Sequence, residues 1–179
     1  MAVVRSNTTD GDQASGLNSA WNDAHDNVGF QNPGISATRD NNSVGAYFAP
    51  ARSKFWIDRA FFDFDTSGIT TTVDSATLKI KTRTNNGASL IAVKSGHDPS
   101  TATDDWFSTW LTGQSITLSG WGSGDVTAYS AETAAASDGV FTSITLNASA
   151  LSDLVSLSTF KIVVLDHDYD YSDSSPGTD

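Results

Sequence analysis

Over residues 75–84 the side chains alternate without a break, with Ala76, Leu78 and Ile80 on one face and Thr77, Lys79, Lys81 and Arg83 on the other. A period of two means one buried face and one wet face, so this stretch reads as a half-buried β-strand. Asn85-Asn86-Gly87 follows, and Asn-Gly supplies the two positive-φ residues of a type I′ turn ahead of the apolar run Leu90-Ile91-Ala92-Val93. The pattern predicts a hairpin over 75–94. Upstream, 55–64 is the most aromatic segment, and one parity carries Trp56, Ala60, Phe62 and Phe64, as a core-facing strand end requires. The turn Asp65-Thr66-Ser67-Gly68 closes it. Further strands are expected around 44–48, 115–118, 140–146 and 160–166, the last with the continuous Ile162-Val163-Val164-Leu165 run of a central strand.

Ser, Thr, Gly, Asp and Asn together make 90 of the 179 residues, which suits short strands joined by many polar turns. Helix is scarce. The segment 147–155 has Asn147 as a cap and apolar residues at Ala150, Leu151, Leu154 and Val155, so one short helix is expected there. A second is suggested over 17–28 by Leu17, Trp21, Ala24 and Val28, and a helical turn within 101–111 would bring Trp106 and Trp110 together. No internal repeat or linker divides the chain. The reading is therefore an all-β protein, an antiparallel β-sandwich forming a single domain over 1–179, with one or two short helices.

Charge and composition exclude several functions. The net charge of −11 disfavours a nucleic-acid groove, which needs clustered Lys and Arg. No apolar run reaches the length of a membrane span or of the hydrophobic core of an export signal, so no membrane association is expected. The absence of cysteine removes disulfides, thiol catalysis and thiolate metal sites. Twenty of the twenty-one acidic residues are Asp, and Glu132 is the exception.

The order Arg59-Ala60-Phe61-Phe62-Asp63-Phe64-Asp65-Thr66-Ser67-Gly68-Ile69, then Val73-Asp74-Ser75-Ala76-Thr77-Leu78, then Phe141-Thr142-Ser143-Ile144-Thr145-Leu146-Asn147-Ala148-Ser149-Ala150-Leu151, then Asp168-Tyr169-Asp170-Tyr171 with Ser175-Pro176, resembles a known signature. It is that of the DNRLRE-type jelly-roll modules of secreted and cell-surface proteins, and of a group of phage virion structural proteins. The likeness covers most of the chain after Lys54, and Trp21-Asn22-Asp23-Ala24-His25-Asp26 extends it more loosely toward the start. It implies a sandwich of jelly-roll type with about eight strands. It also implies structural roles for Arg59, paired with a carboxylate at the sheet edge, and for Asp65, accepting backbone N–H bonds in the turn that Gly68 closes. Such modules usually finish with one more strand, aromatic and Gly-rich, where this sequence ends in Ser174-Ser175-Pro176-Gly177-Thr178-Asp179. The resemblance thus implies a C-terminal strand that is missing or donated by a neighbour, and a homo-oligomer or polymer joined through an open sheet edge.

The densest polar cluster is Asp166-His167-Asp168-Tyr169-Asp170-Tyr171-Ser172-Asp173. Asp166, Asp168 and Asp170 share one parity, and carboxylates on one face repel unless a cation or an Arg sits among them. An all-oxygen set suits Ca²⁺, which gives Asp166, Asp168, Asp170 and Asp173 as candidate metal ligands, with Asp10 and Asp12 as possible additions; a solvated acidic loop is the alternative. Zinc would require a meeting over long sequence distance, because His25, His97 and His167 have no ligand partner at helical spacing. No nucleophile motif is present, so no enzyme activity is expected. Trp106, Trp110 and Trp121 lie in expected loops, where an exposed indole can stack on a sugar ring; the alternative is that they close the ends of the core. Trp56 reads as core or interface. The resulting expectation is a non-enzymatic structural or adhesion module on a phage virion surface, such as a tail-fibre, decoration or capsid-associated protein, with surface glycans as its candidate ligands. The alternative is a carbohydrate-binding module of a secreted or cell-surface protein.

Overall fold

The computed structural model describes residues 3–5, 11–14, 18–26, 42–96 and 121–178. Among them are eight strands: β1 (Gly11–Ala14), β2 (Gly45–Ala49), β3 (Lys54–Asp65), β4 (Thr77–Lys81), β5 (Ser89–Lys94), β6 (Thr133–Ala134), β7 (Phe141–Thr145) and β8 (Thr159–Asp166). Two short helices accompany them, α1 (Trp21–His25) and α2 (Ala148–Ser156), and β8 runs into a π-helical turn at His167–Tyr171. No helix among the described residues is long and apolar enough to cross a membrane.

All pairings are antiparallel, and the strands form two sheets, one of order β1-β3-β8-β5-β6 with β2 also on β3, the other β4-β7. The long β3 serves three partners in succession. Lys54 to Asp58 pair with β2, Asp58 to Phe61 with β1, and Ala60 to Asp65 with β8. Asp58 faces both Ala14 and Gly45, so β1 lies along one edge of β3 while β2 and β8 follow one another along the other.

β8 and β5 are the central strands, and their unbroken apolar runs are buried on both faces. One face, with Leu90, Ala92, Phe160, Ile162 and Val164, packs on Leu78 of β4, Ile144 of β7 and Ala150 and Leu154 of α2, and this is the core between the sheets. The other, with Ile91, Val93, Val163 and Leu165, packs on Phe61 and Trp121. Truncating one of the buried aliphatics to Ala would cost about 2–5 kcal/mol. α2 begins where the sequence places it: the Asn147 side chain accepts the Ala150 N–H at 3.1 Å and its amide donates to the Ala128 carbonyl at 2.8 Å.

The hairpin expected over 75–94 does not form. β4 pairs with β7 and β5 with β8 and β6, so the two strands lie in opposite sheets. The reason is in their burial: β4 is half wet, whereas β5 is dry on both faces and can sit only inside a sheet. The Asn85 side-chain oxygen Oδ1 accepts the N–H groups of Gly87 and Ala88, at 2.8 and 3.1 Å, and its side-chain amide N–H donates to the Ala135 carbonyl. Asn-Asn-Gly thus turns a corner between sheets, with Gly87 at φ 89°.

The parity read on β3 is half of the picture. Phe62 and Phe64 do pack on the core between the sheets, but the opposite parity is buried as well: Phe55 and Ile57 pack with Trp21, Ala24 and Ala46, and Phe61 with Trp121. Of the helix suggested over 17–28, the stretch Trp21–His25 is helical as α1, with Trp21 and Ala24 buried, while 18–20 are not helical and Leu17 and Val28 lie outside the described residues. The strand expected at 115–118 and the turn within 101–111 lie outside the described residues.

Candidate functional site

The π-helical turn after β8 organises the polar chemistry. The Asp166 carboxylate caps it, accepting the Tyr169 N–H at 3.0 Å. Burial pushes the Asp166 carboxyl up to about 6; the charges of Asp170 and Asp168 push the same way, and backbone N–H bonds from Tyr169 and Asp168 oppose them. The turn rolls Asp170 inward until it is fully buried.

There it meets Arg59, which is also fully buried. Arg59 Nε donates to Asp170 Oδ2 at 2.8 Å and Nη2 to Oδ1 at 2.6 Å, a two-pronged pair across 111 positions of sequence. Nη2 also donates to the His25 carbonyl at 3.1 Å. His25, at the end of α1, donates from Nε2 to the Asp170 carbonyl at 2.9 Å and holds Nδ1 2.7 Å from Asp26 Oδ1. The Trp121 ring stacks on His25 at 4.5 Å, and the Arg59 guanidinium lies 5.1 Å from its centroid. Trp21 donates its indole N–H to Asp173 at 3.0 Å. This knot fastens α1, β3, the segment at Trp121 and the turn after β8 to one another. Arg59, Asp170, His25 and the two tryptophans are buried, with Asp26 and Asp173 at the rim.

The residues singled out as calcium ligands therefore have separate fates. Asp170 gives both oxygens to Arg59, Asp166 caps the turn, Asp173 receives Trp21, and Asp168 lies at the surface beside His167. The Arg59 guanidinium answers the buried Asp170 carboxylate. The four do not converge into one ligand set. Asp10 lies outside the described residues, and of Asp12 the strand backbone alone is described.

Another set does converge. Glu132, His167 and Asp168 are the residues among those described whose ligand atoms gather, within 4.8 Å of one another. His167 Nδ1 lies 3.2 Å from Asp168 Oδ1 and 3.7 Å from Glu132 Oε2. Neighbouring strands bring them together, since Leu90 of β5 pairs with Thr133 on one side and Asp166 on the other. Sequence reading passed over Glu132 because it stands alone, 35 positions from His167. Its being the single Glu was the one available signal.

Of the expected sugar platforms, Trp106 and Trp110 lie outside the described residues. Trp121 is 4% exposed with a ring face covered by His25, so it closes the core as the alternative had it. Among the described residues, accessible aromatics stand on another part of the surface. Tyr47 of β2 and Trp56 of β3 are a cross-strand pair with ring centroids 6.4 Å apart and planes 21° from parallel, and Tyr47 is 47% exposed. Trp56 donates its N–H to Asp58 at 2.8 Å, which fixes the indole plane. Beside Tyr47 on β2, Gly45 leaves open space where a Cβ would stand. Trp56 thus belongs to a surface rather than to the core. Partial burial, then the Asp58 charge, push the Tyr47 phenol above its ordinary range, against the opposing charge of Arg52.

Comparison with models of protein families, with curated proteins and with solved structures finds no match to this chain.

Proposed function

We propose that this protein is a non-enzymatic structural and adhesion module of a phage virion surface, built as a jelly-roll sandwich. The observation that carries the reading is the fate of its most reactive-looking groups. Arg59, Asp170 and His25, a set that could bind or activate a substrate in an open cleft, are buried and spent on one another. Such a knot makes a rigid scaffold, which is what a particle surface needs, and the motif order after Lys54 resembles that of virion proteins. Proteomics on gradient-purified particles from a lysate expressing the gene tests the virion reading. Peptides of this chain are expected to sediment with the capsid proteins; recovery exclusively in the particle-free fraction would refute it.

The adhesion half rests on Tyr47 and Trp56. Two near-parallel rings edged by Asp58 and Arg52 match a ligand with apolar ring faces and a rim of hydroxyls, a saccharide. The same surface favours the second reading, a carbohydrate-binding module of a secreted or cell-surface protein. A glycan array with the protein and its Trp56→Ala and Tyr47→Ala variants tests either form of sugar binding. Binding that both substitutions abolish is expected, and unchanged binding in both would remove this surface from the account.

A further inference from the structure

We propose that Glu132, His167 and Asp168 bind a divalent transition-metal ion, zinc by preference, through His167 Nδ1, Glu132 Oε2 and Asp168 Oδ1. The distances carry the inference. Zinc holds nitrogen and oxygen ligands at about 2.0–2.2 Å in a tetrahedral arrangement, which sets ligand atoms roughly 3.3–3.6 Å from one another. The observed separations from Nδ1, 3.2 and 3.7 Å, bracket that edge. The 3.2 Å contact with Asp168 is also a hydrogen bond, whereas the 3.7 Å separation from Glu132 is beyond one and leaves room for an ion.

The ligands are also oriented from behind. Ser89 Oγ donates to Glu132 Oε1 at 2.6 Å, which leaves Oε2 to face His167. The His167 ring rests on Tyr171, with centroids 5.6 Å apart, and its carbonyl accepts Ser172 Oγ at 2.7 Å. Supporting contacts of this kind fix ligand geometry in metal sites. Two carboxylates drawn to one imidazole in a chain of charge −11 repel one another, and a dication between them reverses the sign of the interaction. The donor set selects the metal. One imidazole with two carboxylates suits zinc and its transition-metal neighbours, whereas calcium takes oxygen ligands in greater number. Glu132 and Asp168 are exposed, so the fourth position opens to solvent. The ion would clamp the short β6 edge to the turn that carries Asp170.

The test uses the whole chain, stripped with chelator and titrated with zinc, cobalt and calcium chlorides by calorimetry and thermal melting. One equivalent of zinc is expected to bind and raise the melting temperature, with calcium in equal excess giving neither effect. Cobalt should develop the visible absorption of a tetrahedral site. His167→Ala should abolish binding without changing the melting temperature of the metal-free protein. Ser89→Ala, which touches no ligand atom of the ion, should weaken binding by about 10–100-fold. Should His167→Ala not fold, Glu132→Gln serves in its place. No zinc binding by the wild-type chain, or equal binding in the His167 or Glu132 variant, would overturn the proposal.

Discussion

Replacing Asp170 by Asn keeps the shape of a fully buried side chain and removes the charge that Arg59 answers. The carboxylate accepts from two guanidinium nitrogens, at 2.8 and 2.6 Å; the amide keeps one acceptor and turns an N–H₂ donor toward the other. Arg59 is then a buried cation with one prong unmatched. Breaking a buried pair from one side costs about 3–5 kcal/mol, against a total stability of roughly 5–15 kcal/mol for a domain. At about 2–4 °C per kcal/mol for a chain of this length, the melting temperature should fall by roughly 6–20 °C. Urea unfolding followed by far-ultraviolet circular dichroism gives the free energy, and the near-ultraviolet signal of Trp121, stacked on His25 beside Arg59, reports the knot locally. The double variant Arg59→Met with Asp170→Leu removes both charges, so it should lose less than Asp170→Asn alone. A loss below about 1 kcal/mol for Asp170→Asn, the value of an exposed pair, would show that the knot does not hold the fold as argued.

Three further perturbations probe other parts of the scaffold. Asn147→Ala removes the α2 cap and its bond to the Ala128 carbonyl, and should cost about 1–2 kcal/mol by urea titration. Tyr129→Phe deletes the 2.5 Å bond from the buried phenol to Asp153 and should cost about 1–2 kcal/mol. Burial pushes the Asp153 carboxyl up, but bonds from Lys94 and Tyr129 outweigh it and hold the group below its ordinary range. Its contribution is therefore present above the usual carboxylate range and fades as pH falls below it, so Asp153→Asn should flatten the acid limb of the stability profile; an unchanged limb would contradict this.

The class of fold was legible because its determinants are local. Alternation in β4, the two-faced apolar runs of β5 and β8 and the Asn147 cap each depend on neighbours a few positions away. Pairing depends on which strands bury the same face, and a short motif does not carry that. Asn85-Asn86-Gly87 has the composition of a hairpin turn, but its consequence was decided by Leu90 to Val93, whose second dry face forced β5 into the middle of the other sheet. The same cue, applied to β5 as it was to β8, would have argued against the hairpin.

The site was harder for a related reason. Carboxylates sharing a parity after β8 suggested one ligand set, yet parity is a property of extended chain, and the chain stops being extended at Asp166. The π-helical turn replaces alternation with a rotation that sends Asp170 inward and Asp168 outward. A single cluster in sequence thereby becomes two sites of opposite character in space. The inner one is closed by Arg59, whose need for a carboxylate was foreseen but whose depth was not. The outer one is completed by Glu132, brought to His167 by the β5-β6 and β5-β8 pairings rather than by any motif. Charge density alone marks where acidic side chains are; whether an arginine or an ion balances them depends on the turn that separates them.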